Sequence, residues 1–266
     1  MYSKSRLAFK WFRYYVLASS GRGHGIHSPF VYDFVVSVLN DNRNYYAFEK
    51  IENQKKILLQ DERILRFNDP GAGSLADIER SKKLSEIAGN AVSAQKFGRL
   101  LFRIANYYRA KTIIELGSSL GISTSYFAFA DDANRVTTIE GAGSIGEIAK
   151  ETFNKLQLEN ICLVNGHFEK VLDEVISANP PADLVFIDGN HRKKAVLEYF
   201  EKFLLKISAS SLIIIHDIHW SRDMEEAWSI IQSHPKVNMS IDIFSAGLVF
   251  FREEFQVKQH FMIRFY

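Results

Sequence analysis

From Lys111 onward the chain repeats one pattern: a short apolar run, a turn, then an amphipathic stretch. The apolar runs fall at 112–116, 136–139, 161–164, 184–187 and 212–215. Helical periodicity fills 122–130, 145–156, 168–177, 193–206 and 224–232. Strands that alternate with helices pair in parallel, because each helix carries the chain back across the sheet. The end of the chain breaks this rhythm. Residues 239–244, then Ser245-Ala246-Gly247, then 248–252 read as an antiparallel β-hairpin. The expected fold is therefore α/β: a doubly wound, mostly parallel sheet of seven strands with a terminal antiparallel hairpin.

Before residue 110 the pattern is helical and irregular, which predicts an N-terminal helical extension over 1–92 and a main domain over 93–266. Gly21 to Pro29 is a loop by its glycines and proline, with Ser28 as N-cap and Pro29 at the first helical position. A helix through Phe30, Phe34, Val35 and Val38 follows. A second is indicated by Ile51, Ile57, Leu58, Ile64 and Leu65, and Asp69-Pro70-Gly71-Ala72-Gly73 breaks the chain after it. Phe97, Leu100, Leu101, Ile104 and Tyr108 lie at helical spacing and should face a core.

The first 32 residues hold Lys4, Arg6, Lys10, Arg13 and Arg22 and no acid, with Phe9, Trp11, Phe12, Tyr14 and Tyr15 between the charges. An anionic surface, RNA or membrane, would suit this composition. The favoured expectation is plainer: a terminal helix that docks its aromatic side on the main domain and shows its charges to water. The whole chain carries a net charge of only +2, so nucleic acid is not expected as a partner. Cys162 is the single cysteine, which excludes an intramolecular disulfide and fits a reducing, cytoplasmic setting. No apolar run is long enough to span a bilayer.

The first strand of the repeating region runs into Glu115-Leu116-Gly117-Ser118-Ser119-Leu120-Gly121 and then a helix. Such a turn at a strand's carboxyl end is where doubly wound sheets bind nucleotides. The glycine spacing is not that of a dinucleotide fingerprint, so a nicotinamide-dependent oxidoreductase is disfavoured. Glu140 closes the second strand, where an acid can accept hydrogen bonds from ribose hydroxyls. Asp188 closes the fourth, in Ile187-Asp188-Gly189-Asn190-His191, and a carboxylate there suits a cationic ligand.

These residues carry a resemblance. Glu115 to Gly121 resembles the E-x-G-x-x-x-G first motif of class I S-adenosylmethionine-dependent methyltransferases. Ile187–His191 and Ile213–Asp217 are similar to the branch near the catechol and caffeoyl-CoA O-methyltransferases, over residues 93–266, and Gly25–Phe30 looks like a feature of bacterial members. The resemblance implies a Rossmann-like methyltransferase fold, S-adenosyl-L-methionine as cofactor, and methyl transfer to oxygen or nitrogen of a small-molecule acceptor. It implies that Glu115 and Gly117 shape the cofactor loop, with Ser118, Ser119 and Gly121 near the methionine part. Glu140 would hold the ribose, Gly141 would lie beside the adenine, and Asp188 near the methionine amino group or the acceptor. His167 stands where the family often has an acid that contacts the adenine.

For the acceptor side, the candidates are Asp188, His191, His216, Asp217 and His219, at the ends of the fourth and fifth strands. Histidine is the natural base near neutral pH. In catechol-type relatives, acids at these two strand ends and an adjacent amide hold a divalent cation. Asp188 and Asp217 match the acids, but Ile218 occupies the amide position and cannot ligate. A divalent metal is therefore left open and not favoured; His216 or His219 as substitute ligands would turn preference toward a transition metal. Trp220 and Trp228 are read either as pocket lining or as core. The N-terminal helices are left as a lid or a homodimer surface. The alternative to an enzyme is a non-catalytic cofactor- or RNA-binding module on the same fold.

Overall fold

The computed structural model describes residues 1–68, 79–91 and 95–265. The expected break at 69–73 and the expected domain boundary at 92/93 lie outside the described residues. In chain order the elements begin with α1 (Lys4–Leu17), α2 (Pro29–Phe34), a π-helical turn (Val35–Leu39) and α3 (Tyr46–Leu59). Then come β1 (Ile64–Asn68), β2 (Glu79–Lys83), α4 (Leu84–Ala91), α5 (Gln95–Tyr107), β3 (Thr112–Leu116) and α6 (Ile122–Ala128). β4 (Arg135–Glu140), α7 (Gly143–Lys155), β5 (Ile161–Asn165), α8 (Phe168–Ala178) and β6 (Ala182–Ile187) continue the alternation. α9 (Lys193–Phe203), β7 (Ile207–His216), α10 (Arg222–Ser233), β8 (Met239–Asp242), β9 (Ala246–Phe250) and β10 (Gln259–Met262) complete it. The chain divides into two compact units, Asn42–Pro180 and Met1–Asp41 with Pro181–Tyr266.

In the unit Asn42–Pro180, β3, β4 and β5 pair in parallel in that order. Ile113, Ile114, Leu116, Val136 and Ile139 are buried, as strands covered by helices on both faces require. α5 presents Phe97, Leu100, Leu101 and Ile104 to the core as their spacing predicts, while Tyr108 is half-buried. The second expected helix is corrected. α3 stops at Leu59, and Ile64 and Leu65 lie on β1, which pairs antiparallel with β2. The physical reason is a local competitor: the Asp61 carboxylate accepts from the Arg63 backbone N–H at 3.0 Å and turns the chain out of the helix. The ribbon is then tied down from a distance, by Arg63 to Glu151 at 2.9 Å and by the Ser144 hydroxyl to the Arg66 carbonyl at 2.8 Å.

In the other unit, β6 and β7 are parallel, β9 is antiparallel to β7 and β8, and β10 runs parallel to β8. The expected hairpin is β8–β9, with its turn at Ile243–Ser245 rather than at 245–247, because Ala246 and Gly247 already pair with His216 and Ile215. Seven strands were expected in the sheet; among the described residues eight are found besides the β1–β2 ribbon. The extra one is β10, a four-residue strand whose residues alternate between half-buried and exposed, too short to leave a period in the sequence. Ser28 caps α2 through the Val31 backbone N–H, with Pro29 at the first position as expected. The helix then widens, with Asn40 N–H bonding Val35 C=O. Trp228 belongs to the core and packs on Gly247, while Trp220 is 37% exposed.

The expected docking of the N-terminal aromatics is also corrected. α1 is held by Tyr2, Lys10 and Tyr14, and Phe9, Trp11, Phe12 and Tyr15 remain exposed. Among the described residues, no helix is long and apolar enough to cross a membrane.

One packing contact gives a direct test. A Cβ on Gly98 of α5 would run into the ring of Tyr126 on α6, which is buried. Gly98→Ala is expected to destabilise the protein by about 1–3 kcal/mol, the usual effect of overpacking a close contact. The urea midpoint of unfolding measures it, and an unchanged midpoint would mean that Tyr126 moves freely.

Candidate functional site

The turn after β3 is built from three left-handed residues, Gly117 (φ 97°), Ser119 (φ 45°) and Gly121 (φ 81°). Glycine takes such angles without steric penalty, but a serine at φ 45° is strained and needs its surroundings to hold it. The restraint on Ser119 is visible: its backbone N–H donates to Glu140 Oε2 at 2.9 Å. Gly117 and Ser118 donate to the Ile139 carbonyl, and Gly121 to the Ser118 carbonyl. A Cβ on Gly121 would lie 2.5 Å from the Phe153 ring, so the turn packs too closely on α7 for any other residue.

Beneath the turn, Glu115 is fully buried. Its carboxylate accepts from the hydroxyls of Thr124 on α6 at 2.5 Å and Thr138 on β4 at 2.7 Å. A buried carboxylate is tolerated only with such donors, and these join the strand, the helix after it and the neighbouring strand at one point. Ser118 is buried, and its hydroxyl has no hydrogen-bond partner among the described residues. A buried polar atom left in this way is where a ligand's polar group is wanted.

Glu140 sits at the end of β4 with both oxygens engaged by backbone, Oε2 by Ser119 and Oε1 by the Ala142 N–H at 2.9 Å. An ionised carboxylate has acceptor capacity beyond two donors. Next to it a groove is lined by Arg66, Phe67, Gly141, Ala142, Ser144 and His167. His167 stands at the N-cap of α8, and its side chain makes no capping hydrogen bond. Arg66 and Phe67 were not legible as site residues, because nothing local connects β1 to residues more than seventy positions later.

In the unit that holds the carboxyl-terminal strands, a second set of groups comes together. β6 and β7 pair with Ile187 beside Ile215, so the next residues, Asp188 and His216, are neighbours by register. His216 Nδ1 lies 2.8 Å from Asp188 Oδ1. His191 Nε2 lies 3.8 Å from Asp188 and 3.9 Å from Asp217, and its buried Nδ1 has no partner among the described residues. Asp217 has φ 57°, a strained angle for a non-glycine residue, held by its N–H to the Ser245 carbonyl at 2.7 Å.

Burial opposes charge on His216, but the adjacent Asp188 carboxylate outweighs it and raises the imidazole from 6.5 to about 9. Burial likewise opposes charge on Asp188, yet His216 and His191 hold its carboxyl below the usual range. Asp217 is pushed up, chiefly by burial. His216 is thus an ion-paired imidazolium at neutral pH and not a free base.

The structure brings Asp188, His191, His216 and Asp217 together and sends His219 elsewhere. His219 donates to or accepts from Glu225 at 3.1 Å and Asp242 at 2.8 Å, and Glu225 in turn binds Tyr2 and Lys10 of the N-terminal segment. Asn190 was overlooked: it is buried at φ 50° and fixes the loop by bonds to Tyr199 and Arg192, a role that a polar residue after a strand-end glycine hints at. The donor set does not fit a divalent metal. Ile218 is buried and apolar, His216 Nδ1 and both His219 nitrogens face carboxylates, and no group of three or more His, Cys, Asp or Glu is placed around a common point among the described residues.

Comparison with known proteins bears on the stretch that contains both sets of residues. A family model described as "Methyltransferase domain" matches residues 114–218. This stretch is similar to a methyltransferase domain. A catechol O-methyltransferase of Niastella koreensis is 28% identical over 141 residues, which is 52% of this chain and 62% of that protein. An uncharacterized protein of Sinorhizobium fredii is 27% identical over 124 residues, 41% of this chain and 13% of that one. The chain thus spans less than two thirds of either relative's length. The SAH-bound crystal structure of a Podospora anserina methyltransferase matches with a TM-score of 0.58 at 15% identity, over 85% of this chain and 97% of that one. At that identity the likeness shows the fold alone: the mostly parallel α/β architecture that the strand–helix alternation predicts.

The His216–Asp188 pair predicts how stability varies with pH. A histidine whose pKa is raised on folding stabilises fully below its unfolded value, and the benefit is lost as pH rises through the folded one. Stability should fall between pH 6.5 and about 9, by on the order of 1–3 kcal/mol. Urea unfolding across that window should show the loss, and His216→Gln should remove that part of the dependence.

Proposed function

We propose that this chain transfers the methyl group of S-adenosyl-L-methionine to an oxygen or nitrogen of a small-molecule acceptor, with residues 93–266 carrying the chemistry and 1–92 extending it. The observation that carries the reading is the turn after β3, inside the stretch similar to a methyltransferase domain, with a buried Ser118 hydroxyl that has no partner among the described residues beside a Glu140 carboxylate fixed by two backbone donors. A dinucleotide site would use backbone N–H groups of this turn on a pyrophosphate. Here those of Gly117, Ser118, Ser119 and Gly121 are already bonded within the protein, which favours a cofactor without phosphates. The SAH bound by the Podospora anserina relative is of that kind.

The residues fit such a cofactor. Glu140 would accept from the ribose hydroxyls, Ser118 and Ser119 would meet the methionine part, and Gly141 and His167 would border the adenine. The cofactor supplies a methyl group on a positively charged sulfur, already activated for in-line displacement. The protein then needs to orient the acceptor, exclude water and accept a proton where the acceptor is protonated. His191 is suited by position to accept it, since its Nε2 lies within 4 Å of the carboxylates of Asp188 and Asp217 at the same strand ends. His216, ion-paired with Asp188, holds that carboxylate in place. The similarity to a catechol O-methyltransferase makes a hydroxylated aromatic the first acceptor to try.

Calorimetric titration with S-adenosyl-L-methionine, with NADH in parallel, tests the cofactor. The former alone should bind, and Glu140→Ala should weaken it about tenfold or more, the scale of losing hydrogen bonds to a charged group. Binding of NADH instead, or wild-type affinity in Glu140→Ala, would overturn the assignment. With an acceptor in hand, His191→Asn should lower kcat by about 100-fold or more, as loss of a general base does, with cofactor affinity unchanged. Cofactor binding with no transfer to any acceptor would favour a non-catalytic module.

A further inference from the structure

The N-terminal helix presents a surface that the proposed reaction does not use. α1 is fixed to its unit along one side. Tyr2 OH donates to Glu225 at 2.8 Å, Lys10 Nζ binds the same carboxylate at 2.7 Å, the Tyr14 hydroxyl bonds the Ile263 carbonyl, and the Tyr2 N–H bonds the Trp220 carbonyl. At about 3.6 residues per turn, Phe9, Phe12 and Val16 stand roughly opposite Tyr14. They are 68%, 60% and 57% exposed. Arg6 and Arg13 flank this crest on one side and Lys4 on the other, with Trp11 and Tyr15 beside Lys4. Trp11 and Tyr15 are themselves exposed, and the Arg264 guanidinium lies over the Tyr15 ring. No acid occurs in residues 1–32.

We propose that α1 is an interfacial helix that docks this protein on an anionic lipid membrane. An apolar crest bordered by cations matches a bilayer surface, where apolar side chains enter the acyl boundary and basic ones meet lipid phosphates. The face is already folded and anchored, so docking carries no cost of helix formation. Charge argues against a second copy of the chain as the occupant. A two-fold contact through this face would set Lys4, Arg6 and Arg13 against the same cations with no acid on the helix to relieve them. An RNA strand would use the aromatic rings and cations, but it offers nothing to Val16 and Leu17, which is also 57% exposed.

Flotation of the full-length protein with vesicles tests this. Protein should rise with vesicles of equimolar phosphatidylcholine and phosphatidylglycerol, hardly at all with phosphatidylcholine alone, and less as salt is added. The triple substitution Phe9→Ser, Phe12→Ser, Val16→Ser should lower partitioning by about tenfold or more. These side chains are exposed, so thermal unfolding should not change. The pair Lys4→Glu, Arg13→Glu should abolish the preference for anionic vesicles, and Trp11 emission should shift to the blue on docking. No flotation with anionic vesicles would overturn the proposal. So would a triple variant that floats like wild type, or one that loses only poly(U) binding or self-association. Titration of the same samples with S-adenosyl-L-methionine separates this result from the fate of the methyl-transfer reading, which does not depend on α1.

Discussion

Parallel strands end on the same edge, and most of what is chemically interesting in this chain follows from that. Leu116 pairs with Ile139, and the residues just beyond them, Gly117 to Ser119 and Glu140, are lashed together by backbone hydrogen bonds. Ile187 pairs with Ile215, and the residues just beyond them are Asp188 and His216 at 2.8 Å. In each unit the pairing delivers a polar constellation to a strand end without any special contact of its own. Antiparallel pairing would have sent one member of each set to the opposite edge.

Both constellations are held by conflicts resolved locally. Glu115 is a carboxylate with no solvent, made tolerable by two threonine hydroxyls that also lock β3, β4 and α6. Ser119 and Asp217 hold left-handed angles that serine and aspartate seldom take, each fixed by a backbone hydrogen bond. Strain of this kind persists only where surrounding structure over-determines it, and both positions flank the groups to which function is assigned. The His216–Asp188 pair is a third such case. Burial alone would neutralise either partner, and each keeps the other charged.

The N-terminal segment is anchored by a different device. Glu225 gathers Tyr2, Lys10 and His219, and His219 reaches on to Asp242. Burial opposes charge on His219, but its two acidic partners outweigh it and raise the imidazole above its ordinary value. The network fixes one side of α1 and leaves its aromatic and aliphatic side outward. A histidine that resembled a catalytic candidate by position therefore serves to hold a helix.

The sequence by itself determined the alternation from β3 to β9, the closing hairpin, the helix cap at Ser28 and the turn after β3, because each is written in local periodicity or in residues a few positions apart. It also named Asp188, His191, His216 and Asp217 as one group, since strand ends in a parallel sheet must be neighbours. What it could not determine were features set by distant partners. The β1–β2 ribbon is pinned by Glu151 and Ser144, β10 is a strand only because β8 offers it an edge, and His219 leaves the acidic group because Asp242 and Glu225 claim both its nitrogens. The outward face of α1 is of the same kind. Its composition was legible, but which side it buries was decided by the Glu225 carboxylate and the Ile263 carbonyl, each more than two hundred residues away, and long-range contacts of that sort leave no trace in local sequence.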